Sequence, residues 1–401
     1  VSHSTTTTHD LFIVPAERWG ATRNVFAALG GLGLVGGIVG FVTDRGQFFH
    51  SYLTAFVFVL TVCLGLLFFV MVQHVARAGW SVALRRLAEV GAACVPVLAL
   101  LFLPILAGMG DLFEWAHRDA VSHDPLLQHK EAYLNPAFFI IRAAIYFLVW
   151  ILLARYFLRR SLSQDADRDP MTTVRLQRRA APGIVLFAFT LTFMGFDWLM
   201  SLSPHWYSTI FGVYVFSGSA LSSFAFLALA SISLRRAGHL RHTFRTDHFQ
   251  DLGRWMFAFS IFWTYIAFSQ YFLIWYGNLP EETIYYVNRS VGTWGKGGLF
   301  LAVGHFAVPF VLLMSRWTKR RPGFVAGMAV WILLIHYWDI YFMVMPKAHP
   351  EGIRFHWLDA ACLVGVAGVF LAVFAHRLRG RALVPVGDPR LPESLALEHL
   401  Y

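Results

Sequence analysis

Ten stretches of the chain are apolar over about 20 residues, the length a helix needs to cross the hydrocarbon layer of a bilayer. They lie at roughly 22–42, 51–72, 87–109, 136–158, 182–201, 207–232, 253–276, 296–315, 323–345 and 356–376. The pattern predicts an all-α polytopic membrane protein with ten transmembrane helices. It divides the chain into a polar N-terminal tail (1–21), a transmembrane domain (22–376) and a C-terminal tail (377–401). The second to fifth stretches (about 51–158 with 182–201) and the sixth to ninth (about 207–345) form two blocks of four with parallel topology. Each block is long enough to bundle, and the first and tenth stretches flank the pair. Pro96, Pro104 and Pro309 fall inside apolar runs, where they predict kinks and freed carbonyls that a neighbouring helix must satisfy.

The polar connections alternate in charge. Segments 73–88, 159–181, 233–252, 316–322 and 377–401 together carry 21 Lys and Arg residues, and the intervening connections carry 6; Arg18 raises the richer side to 22. The positive-inside rule then predicts that both termini of this multi-pass protein face the cytoplasm. Segment 159–181 mixes both signs and reads as a cytoplasmic linker near the middle of the chain. The longest opposite-side connection, 110–135, reads as a solvated loop able to cover part of that surface. The tail beyond Ala382, with Pro385, Pro389 and Pro392, is expected to be extended and weakly ordered unless a partner holds it. The N-terminal region has no small-residue cleavage pattern, so the first apolar run is expected to serve as an anchor.

Composition narrows the function class. With 57% hydrophobic and 14% charged residues, the chain lacks the polar surface a soluble globule requires. The net charge of +10 sits in short loops between spans, so it signals topology and implies a lipid environment, not nucleic acid. Cys63, Cys94 and Cys362 lie singly in separate apolar runs, without the spacing of a covalent haem site or an iron–sulfur cluster.

Ionisable residues inside spans are costly and mark sites. Arg142, Asp197, Gln270 and Asp339 fall toward the less basic side, with His205 in the short connection after the fifth span. We expect them to form one outer cluster: either a structural ion pair of Arg142 with Asp197, or a polar pocket. His305 lies near the middle of the eighth stretch. His336 lies in the ninth, three residues before Asp339 and on the same helix face. These histidines read as core residues or as a proton relay, since imidazole titrates near neutral pH; a haem between them is disfavoured by the crowd of aromatic residues. Trp198, Trp206, Tyr207, Trp275 and Tyr276 read as an interfacial aromatic belt. His74, Arg77 and Glu89 form a polar cluster on the basic side, an interface anchor or a proton entry. No metal site is expected from this pattern.

Three segments carry a family resemblance. The run from Phe196 through Asp197-Trp198 and Pro204-His205-Trp206-Tyr207 to Gly212, the run Phe268 to Thr283 containing Gln270-Tyr271 and Pro280-Glu281-Glu282, and Ala78-Gly-Trp-Ser81 with Arg85-Arg86 resemble the F subunits of bacterial alternative complex III. These are membrane subunits of a quinol:cytochrome c (electron-acceptor) oxidoreductase, related to the polysulfide reductase membrane-subunit family. The resemblance implies two four-helix bundles and a set of partners: a paralogous quinol-binding membrane subunit, an iron–sulfur protein, multihaem and monohaem cytochromes c, and in some assemblies a haem–copper oxidase. It places haem c and iron–sulfur clusters on those partners and leaves a quinone, menaquinone or ubiquinone, as the small-molecule ligand open to this chain. Quinol oxidation needs an apolar slot, a proton acceptor and an electron acceptor. The third must come from a partner, so the chain is expected to be inert alone. A secondary transporter would show inverted repeats, which the parallel blocks do not suggest; a purely structural anchor is the other alternative.

Overall fold

The structure, a computed structural model, describes Ile13 and residues 16–399, with side chains from Trp19 onward in the first helix. Ten helices are long and apolar enough to cross a membrane: α1 (Trp19–Thr43), α2 (Arg45–Val75), α3 (Val82–Ala107), α4 (Pro136–Asp167), α5 (Pro170–Leu202), α6 (Phe211–Arg236), α7 (Thr246–Gly277), α8 (Trp294–Met314), α9 (Pro322–Ala348) and α10 (Trp357–Leu378). The described residues contain no β-strand, only an isolated bridge between Ile13 and Ala382.

Helices α2, α3, α4 and α5 pack as one bundle and α6, α7, α8 and α9 as another. The bundles meet chiefly along α2 and α6, the two most enclosed spans, and α10 lies on α2 with α1 outside it. In lipid, close packing requires small side chains where backbones meet. Accordingly, a Cβ on Gly65 of α2 would fall on the backbone of Ser219 in α6, and one on Gly33 of α1 would fall on the backbone of Gly365 in α10.

The prolines act as the sequence predicts. α3 is broken into three pieces, with Pro96 and Pro104 each opening a new piece. α2 reaches the carbonyls at these breaks: Cys63 Sγ lies 3.7 Å from the carbonyl of Ala92, four residues before Pro96, and Tyr52 Oη donates to the Leu101 carbonyl (2.7 Å). In α8 a π-turn spans Val303–Ala307 ahead of Pro309, and Trp331 Nε1 donates to the Gly304 carbonyl (2.8 Å). Pro346, near the end of α9, leaves the Phe342 carbonyl without its helical donor. The buried Arg289 replaces it (3.2 Å) and also reaches the Met343 carbonyl (2.8 Å).

Two expectations need correction. Segment 159–181 is not a linker: α4 continues to Asp167 and α5 begins at Pro170, leaving a two-residue turn with Arg168 in the left-handed region and Asp169 capping α5. Charged residues there hid a helical continuation that extends beyond the hydrocarbon; a 32-residue helix is about 48 Å long. The C-terminal tail is not loose either. Leu383 and Val384 are fully buried, Asp388 pairs with Arg85, and Ser394 Oγ donates to the Trp80 carbonyl (2.7 Å) while accepting from Ala83 N (3.2 Å). The tail runs through turns into a short helix, Leu391–Leu395, with Pro392 in its first turn, and the buried Arg85 supplies the partner that composition could not reveal.

Candidate functional site

The ionisable residues expected in one outer cluster form separate networks. In the first bundle, α4 carries Arg142 and Tyr146 four residues apart, hence on one helix face, opposite Asp197 near the end of α5. Arg142 Nε and Nη2 donate to Asp197 Oδ2 and Oδ1 (2.8 and 3.0 Å), and Tyr146 Oη donates to Oδ2 (2.7 Å). Arg142 also reaches the Tyr133 carbonyl (2.8 Å), and its guanidinium stacks on the Tyr133 ring. Asp197 is fully buried, and both of its oxygens are engaged by a two-pronged cation. This is the arrangement in which a buried charge is well matched.

The second network lies in the other bundle. Asp339 of α9 accepts from Tyr214 Oη of α6 and from Trp263 Nε1 of α7 (3.0 Å), with no Arg or Lys partner among the described residues. One turn earlier, His336 Nε2 contacts Thr61 Oγ1 of α2 (2.9 Å). Its Nδ1 makes no hydrogen bond among the described residues, and neither does either ring nitrogen of His305, which is fully buried in the π-turn of α8. The Trp263 indole lies flat on the His305 imidazole, with ring centroids 3.7 Å apart. Gly218 of α6 makes room for His336: a Cβ there would come within 2.8 Å of the imidazole Cε1 and 3.0 Å of Nδ1. Ligand-type atoms of His305, His336 and Asp339 lie within 4.8 Å of one another, a donor set that suits a divalent transition metal and one that the spacing of single residues did not predict. α6 also carries buried serines at 217, 219, 222, 223 and 231, of which 217, 222, 223 and 231 donate to carbonyls of their own helix. Ser219 Oγ donates to the Thr61 carbonyl (2.6 Å).

His205 joins neither network. It is half-exposed and meets Asp124 Oδ2 at 2.5 Å. That hydrogen bond, with two backbone N–H groups at the start of the short helix Pro125–Lys130, holds the Asp124 carboxyl below its usual range. Gln270 of α7 links the α5–α6 and α7–α8 connections, accepting from Ser208 Oγ (3.0 Å) and donating to Tyr286 Oη (2.9 Å). A cavity of about 600 Å³ at this surface is lined by His205, Trp206, Tyr285, Arg289 and Lys347 among others; of the predicted site residues it takes in His205 alone. The segment 108–135 is not simply solvated, since Phe113 and Trp115 are buried against Phe139 and Lys130 Nζ donates to the Pro204 carbonyl (2.6 Å). Of the expected aromatic belt, Tyr207, Trp275 and Tyr276 are exposed, whereas Trp198 and Trp206 are buried, stacked on Phe102 and Tyr285.

On the basic side, Glu89 sits between Arg85 (3.6 Å) and Arg86 (3.0 Å), and Arg86 also pairs with Asp165 (2.8 Å). His74 is buried nearby, stacked on Phe157, with Nε2 unpaired among the described residues. Arg77 stands apart, exposed at a left-handed turn residue after α2. The sequence reading missed Tyr146, Tyr214, Trp263 and Asp388. Only Tyr146, one turn from Arg142, carried a spacing signal.

A quinol headgroup would need a free acceptor. In the first network both Asp197 oxygens are engaged by Arg142 and Tyr146; in the second, the nitrogens of His305 and His336 that are unengaged among the described residues are the groups able to accept a proton.

No family model matches the chain, and no curated protein matches it.

Proposed function

We propose that this multi-pass membrane protein is a subunit of a respiratory quinol-oxidising complex of the alternative complex III type, lying in the bacterial inner membrane with both termini cytoplasmic. In this reading it scaffolds the assembly and contributes a proton path, while the paralogous membrane subunit oxidises quinol and cytochrome c and iron–sulfur partners carry the electrons. The observation that carries the proton path is the buried set Asp339, His336 and His305: titratable groups on adjacent helices, with no arginine or lysine partner among the described residues to fix their charge. Such groups inside a membrane mark proton relays. The buried Glu89–Arg86 pair supplies ionisable groups on the basic side. Asp197, locked by Arg142, takes the structural role.

The test is a pair of conservative variants in native membranes, scored by native gel, quinol oxidation and proton release. Asp339→Asn is expected to assemble and to lower turnover or proton yield, because the amide keeps the size and an acceptor but cannot exchange the proton. Asp197→Asn is expected to lose assembled complex. Normal turnover and proton yield in assembled Asp339→Asn would sink the proton path. A stoichiometric transition metal in the purified chain, lost in His336→Gln, would replace it with a metal site.

A further inference from the structure

Where α4 and α5 run past the hydrocarbon on the basic side, they part around a cleft of about 1200 Å³. Arg155, Arg159 and Arg160 of α4 face Arg175, Arg178 and Arg179 of α5 across it, and no Asp or Glu lines it. Arg175 is held by Asp169 (3.1 Å). Among the described residues the other five make no ion pair. Arg155 and Arg159, like Arg175 and Arg179, stand four residues apart, so each pair repels along its own helix. Six guanidinium groups in one cleft therefore call for an anion from outside the chain.

The depth of the cleft identifies the anion. Arg155 lies 19 residues after Pro136, about 28 Å along the axis and so at headgroup level if α4 enters the hydrocarbon near its start. Toward the membrane centre the walls turn apolar, with Leu152 and Leu153 on one side and Pro182 and Leu186 on the other. Topology alone explains basic loops, but it does not require them to converge above an apolar slot. The neighbouring basic cleft around Arg235, Arg245 and Arg320 differs, because it contains Asp247 and Glu398, and Arg320 is paired there at 2.8 Å.

We propose that the α4–α5 cleft binds a diphosphatidylglycerol (cardiolipin-type) lipid, its two phosphates between the arginine rows and its acyl chains along the apolar walls. Two phosphates match two rows of guanidinium groups, which favour bidentate contacts to phosphate. This site is independent of the proton path.

The experiment uses the full chain, purified in mild detergent and washed extensively, with bound lipid extracted and quantified by mass spectrometry. Wild type is expected to retain about one cardiolipin per chain, as basic pockets between membrane helices do. Arg159→Gln/Arg178→Gln/Arg179→Gln is expected to lose most of it, since each arginine at a membrane surface strengthens such binding about fivefold. The control Arg236→Gln/Arg241→Gln, on the same face outside the cleft, should retain it. Adding back cardiolipin should raise the melting temperature of washed wild type but not of the triple variant, and inorganic phosphate at equal phosphate concentration should raise neither. Equal retention in the triple variant, equal loss in the control, or an equal shift from inorganic phosphate would overturn the proposal. So would a photo-crosslinker at Ser163 that, in native membranes, traps an acidic protein segment and no lipid.

Discussion

A carboxylate withdrawn from water costs several kcal/mol unless it is matched, and the two bundles match theirs by different means. Asp197 has a guanidinium, whereas Asp339 has a phenol and an indole. Removing one member of the first pair leaves a bare buried charge. Arg142→Gln and Asp197→Asn should each therefore destabilise the purified chain by about 3–5 kcal/mol, read as a loss of denaturation midpoint in detergent. The double variant Arg142→Met/Asp197→Leu should be less destabilised than either single change, because neither charge remains to be satisfied; a double variant at the sum of the two losses would refute the pairing. At Gly218 the expected effect is steric. Gly218→Ala places a methyl group against His336, so it should lower proton yield in assembled complex even though no titratable group is removed, and unchanged yield would show that the position of His336 is unimportant.

At the scale of elements, the contacts that hold segments to the body were those composition concealed. The C-terminal tail offers Asp388 to Arg85 and Ser394 to both Trp80 and His248, joining the start of α3 to the start of α7. Truncation after Val386 should leave Arg85 without Asp388 and open the basic face. Limited proteolysis should then cut near residues 76–81, where the intact chain resists. The 108–135 segment makes a pH-dependent contact. The folded-state pKa of Asp124 lies below its unfolded value, ordinarily about 3.9. Its contribution is thus fully present above that value and is lost as pH falls through the lower, folded pKa. Hydrogen exchange over 118–130, corrected for intrinsic rate, should rise in strong acid as Asp124 takes up its proton, and Asp124→Asn should remove that rise.

For the whole molecule, ten crossings return the chain to the side on which α1 begins, so a single labelling experiment fixes the orientation of every site. Cys63, Cys94 and Cys362 are buried, which keeps the background low. Single cysteines at the exposed positions Ser122 and Ala166 should respond oppositely to an impermeant reagent in intact cells, Ser122 labelled and Ala166 protected. The reverse would turn the proton path and the arginine cleft over together, since both are placed relative to the basic face.

The number and order of the spans were legible in the sequence because hydrocarbon imposes a length and an apolarity on every crossing. Proline breaks were legible because a missing N–H is a local fact. Arg142 and Asp197 were legible as costly buried charges needing a partner, but the sequence left an ion pair and a polar pocket both open, and only the packing shows the pair. What sequence spacing could not decide was which helix faces which. It took the packing of α6, α7, α8 and α9 to bring Tyr214, Trp263, His305 and Asp339 together, and the continuation of α4 and α5 past the membrane to set two rows of arginine face to face. Those juxtapositions join residues from different spans, and in lipid they are fixed by where small residues leave room, for a neighbouring backbone as at Gly65 or for a side chain as at Gly218 under His336. That is a property of pairs of helix surfaces, which hydropathy along a single chain does not express.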